Sequence, residues 1–237
     1  MTSLFEPVDL LGQTLSNRVV MAPMTRARAA QPGDLPTAMT ARYYGQRAGA
    51  GLIVTGLARN EALGRFWLGT TVDSLLARAN TPVLVVKERP RAAYGKILVA
   101  IDFSETSLRA LQTAARLFPD QPLSLLHAFD PPLAGMISEP ARYRGEYRKV
   151  ALADCIAFLA KAGLPADPSG RFDIIVEHGD LETLAWQYVR DRGVDLVVVG
   201  KSDPGPLLGL LIGSNSQRVL SVLDCDVLVV PNRPGEE

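Results

Sequence analysis

With 2 cysteines, 2 histidines and 2 tryptophans in 237 residues, and 25 Lys plus Arg balancing 25 Asp plus Glu, the chain lacks the residues on which several functions depend. Balanced charge gives no basic field, which disfavours DNA or RNA as a partner. Cys155 falls on a predicted helix and Cys225 at the start of a predicted strand, with no CxxC spacing, so buried free thiols are expected rather than a disulfide or a zinc site. His127 and His178 stand at different predicted strand ends, a distribution that fits packing better than metal ligation. Asp102 is the one candidate for acid–base work, and no hydrolase constellation accompanies it. No apolar run reaches the roughly 18 residues of a membrane helix, and the opening MTSLFEPVDLLGQ lacks the basic start and long apolar core of a signal peptide. A cytoplasmic protein without a membrane partner is expected.

What the chain does have is an internal repeat: residues 52–90 align without a gap on residues 196–234. Identities include Leu52/Leu196, Val54/Val198, Gly56/Gly200, Gly69/Gly213, the run Val83–Val86 on Val227–Val230, and Arg89-Pro90 on Arg233-Pro234. Each copy passes from an apolar β-branched run into a glycine, a loop, a second glycine followed by Thr70 or Ser214, an amphipathic stretch and a closing Val-Leu-Val-Val. Short continuous apolar runs alternating with helical segments mark a parallel sheet covered on both faces. A period this long marks duplicated domains rather than a solenoid. Only 51 residues precede the first copy, too few to make it a full twin of the second.

The second half reads as a whole domain. KILVAIDFSETS is a strand ending at Asp102, with Ser104 as N-cap of a helix over about Glu105 to Phe118 whose Leu108, Leu111, Ala115 and Phe118 share a face. A strand Leu123 to Phe129 follows, and residues 131–145, rich in proline and glycine, read as a long loop before a helix from about Glu146 to Ala162. Then come a strand Phe172 to Glu177, a helix capped by Asp180 and ended by Gly193, and a strand Val194 to Val199. This alternation predicts a doubly wound five-stranded parallel sheet with right-handed crossovers, in which ligands bind beyond the carboxyl ends of the strands where the chain order reverses. If the first strand neighbours the fourth, Asp102 and Gly200 flank that crevice. Gly200 is expected to turn the backbone off its strand. Gly213-Ser214-Asn215-Ser216 opens the next helix with unpaired N–H groups and hydroxyls, an arrangement suited to phosphate; the plain alternative is a strand end and a helix cap.

IDFSETS at 101–107, the strand end HAFD at 127–130, and Gly200 followed at fixed spacing by Gly213-Ser214 resemble the universal stress protein family. The resemblance covers residues 51–233, as a partial first copy and a complete second one. It implies a flavodoxin-like, adenine-nucleotide α-hydrolase-like fold that pairs with a second copy and, in one branch, holds ATP or AMP, with Mg²⁺ possible beside ATP. Carried over by position, Asp102 meets the ribose or adenine end, Ala100 and Ala128 line the base, and Gly200, Gly213, Ser214 and Ser216 hold the phosphates. One position departs from the pattern: Asp203 stands where the ATP-binding members have glycine, while Arg59 stands there in the first copy. A carboxylate beside a triphosphate costs about 1 to 4 kcal/mol at surface-like dielectric unless a cation such as Lys201 or a divalent metal offsets it.

Residues 1 to about 50 match nothing in the second half, and residues 1–55 resemble the N-terminus of the old yellow enzyme family of flavin-dependent reductases, through LFEPVDLLGQTLSNRVVMAPMTRARA and the stretch ending GLIVT. That likeness implies the first strand, helix and second strand of a (β/α)₈ barrel, with Ala22-Pro23-Met24-Thr25 against FMN. A barrel needs roughly 200 to 250 residues, and the chain leaves this pattern after Thr55, so FMN catalysis is disfavoured.

The expected organisation is therefore a reductase-like fragment at 1–50, a truncated repeat at 51–90, a linker at 91–94 and a complete domain at 95–233. The first part forms a partial β-α-β-α-β half-domain too small to stand alone, which packs on the complete domain or drives dimerisation. The two Val-Leu-Val-Val strands are candidate edges for pairing, as a homodimer or within one chain. Three functions stay open: a nucleotide-responsive stress-type module with at most slow ATP hydrolysis, an FMN-dependent ene-reductase, and a ligand-free interaction scaffold.

Overall fold

The computed structural model of the protein describes residues 6, 8–10, 13–15, 20–21, 52–56, 72, 75–76, 79–87, 92–131, 139–164, 170–201 and 219–232. The elements in chain order are β1 (Val8–Leu10), β2 (Gln13–Leu15), β3 (Val20–Met21), β4 (Leu52–Gly56), β5 (Val83–Val86), β6 (Ile97–Ala100), α1 (Glu105–Leu117), β7 (Leu123–Phe129), α2 (Pro140–Lys161), β8 (Phe172–His178), α3 (Leu181–Arg192), β9 (Leu196–Lys201) and β10 (Asp226–Pro231). The β1–β2 hairpin was not expected from the sequence; it pairs antiparallel with Val8 opposite Leu15.

Strands β3 to β10 build one open eight-stranded sheet in the order β3-β4-β5-β10-β9-β6-β7-β8. Its second half is the expected doubly wound unit: β8, β7, β6, β9 and β10 run parallel, and the domain's first strand β6 lies beside its fourth, β9. Such strands are buried on both faces, which is why ILVA and LVVV are uninterrupted apolar runs. One face carries α1 and α2 over Val99, Val198, Leu125 and Leu228; the other carries α3 and the last helical turn at 219–222 over Leu98, Val197, Val199 and Val229.

The truncated repeat continues this sheet instead of forming a separate body. Strand β3 of the preceding segment and the repeat's β4 and β5 are parallel to one another, and β5 joins β10 antiparallel through Val85 opposite Val227, Leu84 opposite Leu228 and Val83 opposite Val229. Ile53, Val83 and Val85 are buried in the same apolar cluster as Val227 and Val229, so one core crosses the seam. In β3 and β4, Val20 lies opposite Leu52 and Met21 opposite Ile53. The complete domain places Ile97 opposite Leu196 and Leu98 opposite Val197, the positions aligned with Leu52 and Ile53 in the repeat. Strand β3 therefore stands against β4 in the register in which β6 stands against β9.

Boundaries differ from the expectations at several elements, and three of the shifts have a local reason. α2 begins at Pro140 rather than near Glu146, because a proline at the first helical position costs no hydrogen bond and Gly145 sits inside the helix. β6 ends at Ala100, with Ile101 and Asp102 leading into the cap. β9 runs through Gly200 to Lys201 instead of stopping at Val199, since Gly200 and Lys201 pair with Val230 and Pro231 of β10.

Candidate functional site

The crevice predicted between the first and fourth strands exists at the carboxyl ends of β6 and β9. Its described lining comprises Ala100, Ile101, Asp102, Ser104, Thr106, Ser107, Leu181, Val199, Gly200 and Val219, and it opens to solvent. Among the described elements, three helices reach it: α1 with its first turn, α3 with Leu181, and the last helical turn with Val219.

The Asp102–Ser107 turn makes the polar wall. Phe103 has φ 63°, a left-handed conformation uncommon for a bulky residue, and the sequence carries no sign of it. The Phe103 ring packs on His127, with centroids 4.3 Å apart, and edge-on against Phe158 at 5.6 Å, contacts that offset the backbone strain. His127 is fixed in turn by its Nδ1 donating to the Ile101 carbonyl at 3.1 Å. Both neighbours of Phe103 are thereby aimed at the crevice. The Ser104 N–H donates to Asp102 Oδ1 at 3.1 Å, and the Ser104 hydroxyl bonds to the same oxygen. Ser104 Oγ also accepts from the Ser107 N–H at 3.2 Å, capping α1 as expected.

Burial by the turn pushes the Asp102 carboxyl up, but hydrogen bonding from Ser104 and Ser107 outweighs it and holds the group below the usual carboxylate range. Asp102 is nonetheless exposed as a residue, so its ionised carboxylate is a hydrogen-bond acceptor presented to whatever enters.

Gly200 serves the site differently from the sequence expectation. It does not turn the backbone off the strand; a Cβ there would stand 2.6 Å from the Thr106 carbonyl carbon, 2.7 Å from the Thr106 oxygen and 2.9 Å from the Ser107 nitrogen. Glycine is required because the first turn of α1 lies directly on β9. Its repeat partner Gly56 is exposed, and the nearest described atom to a Cβ there is the Val86 oxygen at 4.0 Å.

Of the predicted site residues, Ala100, Asp102 and Gly200 meet in the crevice. Ala128 is half-buried on β7 against the cluster that contains Ala100, on the same sheet face but outside the described lining. Gly213, Ser214 and Ser216 lie outside the described residues, as does Asp203. Lys201, named beside a divalent metal as a cation suited to offset Asp203, is buried at the end of β9. Ser104, Thr106 and Ser107 were recognised as part of a motif and a cap, but not as lining; the signal was the run of hydroxyls one turn beyond the strand-end aspartate.

Other polar and aromatic side chains have partners away from the crevice. His178 Nε2 sits 3.3 Å from Asp130 Oδ1, and among the described residues no group of three or more His, Cys, Asp and Glu converges as a metal site would. Cys155 and Cys225 are free and buried. Arg142 and Lys149 pair with Glu139 and Glu146 on α2, while Arg148 donates to the Val176 carbonyl on the sheet's edge strand. Trp186 packs partly on the core with Arg190 over its ring, and Trp67 lies outside the described residues. No helix among the described residues is long and apolar enough to cross a membrane.

Comparison with known proteins separates the two parts of the chain. Residues 93–231 match the universal stress protein family and residues 3–70 match the NADH:flavin oxidoreductase / NADH oxidase family. Universal stress protein YxiE of Bacillus subtilis is 30% identical over 146 residues, which cover 58% of this chain and 99% of that protein. A universal stress protein of Mycolicibacterium smegmatis is 31% identical over 198 residues, 78% of this chain but only 63% of the relative's length. A crystal structure of a putative universal stress protein from Pseudomonas aeruginosa superposes with a TM-score of 0.62 at 26% identity, covering 83% of this chain and 69% of that one. On the other side, a putative 12-oxophytodienoate reductase of Oryza sativa is 39% identical over 89 residues, just 20% of its own length. Both β3 and β4 fall inside the flavin-reductase match, so β3 takes a register like that of β6 from a sequence of different family likeness.

Proposed function

The chain belongs to the universal stress protein family, and from that premise we propose that its complete domain is a nucleotide-responsive regulatory module whose β6/β9 crevice takes an adenine nucleotide, ATP or AMP. The observation that carries this reading is the meeting of an ionised aspartate and the hydroxyl-lined first turn of α1 over Gly200, at the topological switch point of a doubly wound sheet. An exposed carboxylate below its usual pKa range suits a ribose diol, which offers two donors; Ala100 and Val199 give the base an apolar floor. Gly213, Ser214 and Ser216 are assigned to the phosphates by their place in the family pattern. Asp203 opposes a triphosphate there, so ATP is bound with Mg²⁺, and AMP suffers the smaller repulsion. Among the described residues no His or Cys lines the crevice to activate water, and the module is read as turning over ATP slowly at most.

Calorimetry tests it. Titration with ATP, with and without Mg²⁺, and with AMP is expected to saturate at one nucleotide per chain. Replacing Asp102 by Ala should weaken binding at least about 10-fold, the scale of a hydrogen bond to a charged group. Absence of saturable heat from every nucleotide, or an unchanged affinity in the Asp102 variant, contradicts the assignment.

A further inference from the structure

The seam between the truncated repeat and the complete domain is centred on Leu84 opposite Leu228, two positions that correspond to each other in the repeat. It is therefore pseudo-two-fold, the geometry in which two identical Val-Leu-Val-Val edges would also pair. Its two ends are chemically unlike. At one end the Lys87 N–H donates to Asp226 Oδ1 at 2.7 Å, and the Lys87 ammonium donates to the Leu220 and Leu223 carbonyls at 2.5 and 2.7 Å. Those carbonyls end the last helix of the complete domain, where a cation meets the negative pole of the dipole. At the other end the residues corresponding to Lys87 and Asp226 are Pro231 and Pro82. Proline has no N–H to give a carboxylate and no charge to give a helix end.

We infer that Lys87 and Asp226 specify pairing of the truncated repeat with the complete domain, making residues 52–87 a built-in cap for the β10 edge that takes the place of a second copy. If two complete domains met through β10, Pro231 would face Asp226 at both ends; each carboxylate would lose that backbone donor and each helix end its ammonium. If two truncated repeats met through β5, Lys87 would face Pro82 and find no acid. Only the mixed pair satisfies the clamp. The wiring favours it within one chain: Tyr94, on the connection from β5 to β6, donates to Asp226 Oδ2 at 2.5 Å, so the connection is pinned to the carboxylate that holds Lys87. The ten residues between Val86 and Ile97 must pass two intervening strands, roughly 15 Å at the usual strand spacing, and can reach about twice that. The seam alone carries this inference, whether or not the crevice binds nucleotide.

Light scattering and amide exchange on the full chain test it. Wild type is expected at the mass of one chain across concentrations, with slow exchange at β5 and β10. Lys87→Gln, which keeps size but drops charge, should speed exchange at Val83–Val86 at least 10-fold. Lys87→Pro combined with Pro231→Lys moves the clamp onto the complete domain, so two copies should pair through β10 and the mass should double. A wild type that already doubles its mass, unchanged exchange in Lys87→Gln, or a double variant that stays at one-chain mass with its β5 exchange still slow would each overturn the inference.

Discussion

Replacing Gly200 by Ala probes the joint between fold and site most sharply. The added methyl meets backbone rather than flexible side chain, at 2.6 to 2.9 Å from Thr106 and Ser107, where ordinary contact begins at 3.4 Å. Neither partner can retreat cheaply: β9 is held by β6 on one side and β10 on the other, and α1 by Leu108, Leu111 and Ala115 in the core. Overpacking of this kind costs about 1–3 kcal/mol, which for a chain of this length lowers Tm by roughly 2–12 °C. The same displacement moves Ser104 and Thr106 away from the strand tip, so nucleotide affinity should fall along with stability. Gly56→Ala is the internal control, an identical change at the repeat-equivalent position where the residue is exposed, and it should stay within about 0.5 kcal/mol of wild type. Scanning calorimetry and nucleotide titration on both variants decide the matter. Equal Tm losses for the two, or no loss for Gly200→Ala, would refute the claim that α1 docks on β9 at this glycine.

Further consequences come from the same contacts. Ser104→Ala removes the α1 cap and a hydroxyl that holds Asp102 ionised; a loss of about 0.5–2 kcal/mol in denaturant unfolding is expected, together with a rise in the Asp102 pKa measurable by NMR. Because the folded pKa of Asp102 lies below its unfolded value, its contribution is present above the normal carboxylate range and disappears as pH falls through the folded pKa; Asp102→Asn, which keeps the Oδ1 acceptor, should flatten that part of the acid unfolding profile. Burial pushes the Cys155 thiol up to about 11 and the Cys225 thiol up to about 12, so neither should react with a thiol reagent at neutral pH until the chain is unfolded; rapid labelling of the native protein would contradict their burial.

What the sequence made legible was what local chemistry decides. Ser104, Asp180 and Gly193 have side-chain or backbone preferences strong enough to mark helix ends without tertiary information, and all three stand where expected: Asp180 Oδ1 accepts from the Thr183 N–H, and Gly193 is left-handed at φ 65°. Continuous apolar runs announced parallel strands, and the right-handed crossover rule then left few orders to choose from. The rest depended on contacts between distant segments. Nothing in Gly200 itself distinguishes a turn from a close helix approach, because both need a missing Cβ. Phe103 shows no propensity for positive φ; His127 and Phe158 impose it. Gly145 argued for a loop, yet it is tolerated on the N-terminal turns of α2, where no described atom would crowd even a Cβ. The β6-like register of β3 was invisible for a different reason: the residues that carry the flavin-reductase likeness and the register that matches the complete domain coincide only in three dimensions.

A nucleotide held between the strand tips of β6 and β9 is open to amide chemical-shift mapping during titration with AMP or ATP-Mg²⁺. Saturable shifts concentrated on Ile101, Asp102, Thr106 and Gly200 are expected, with β3, β4 and β5 unmoved. Shifts confined to the truncated repeat, or none at millimolar nucleotide, would contradict it.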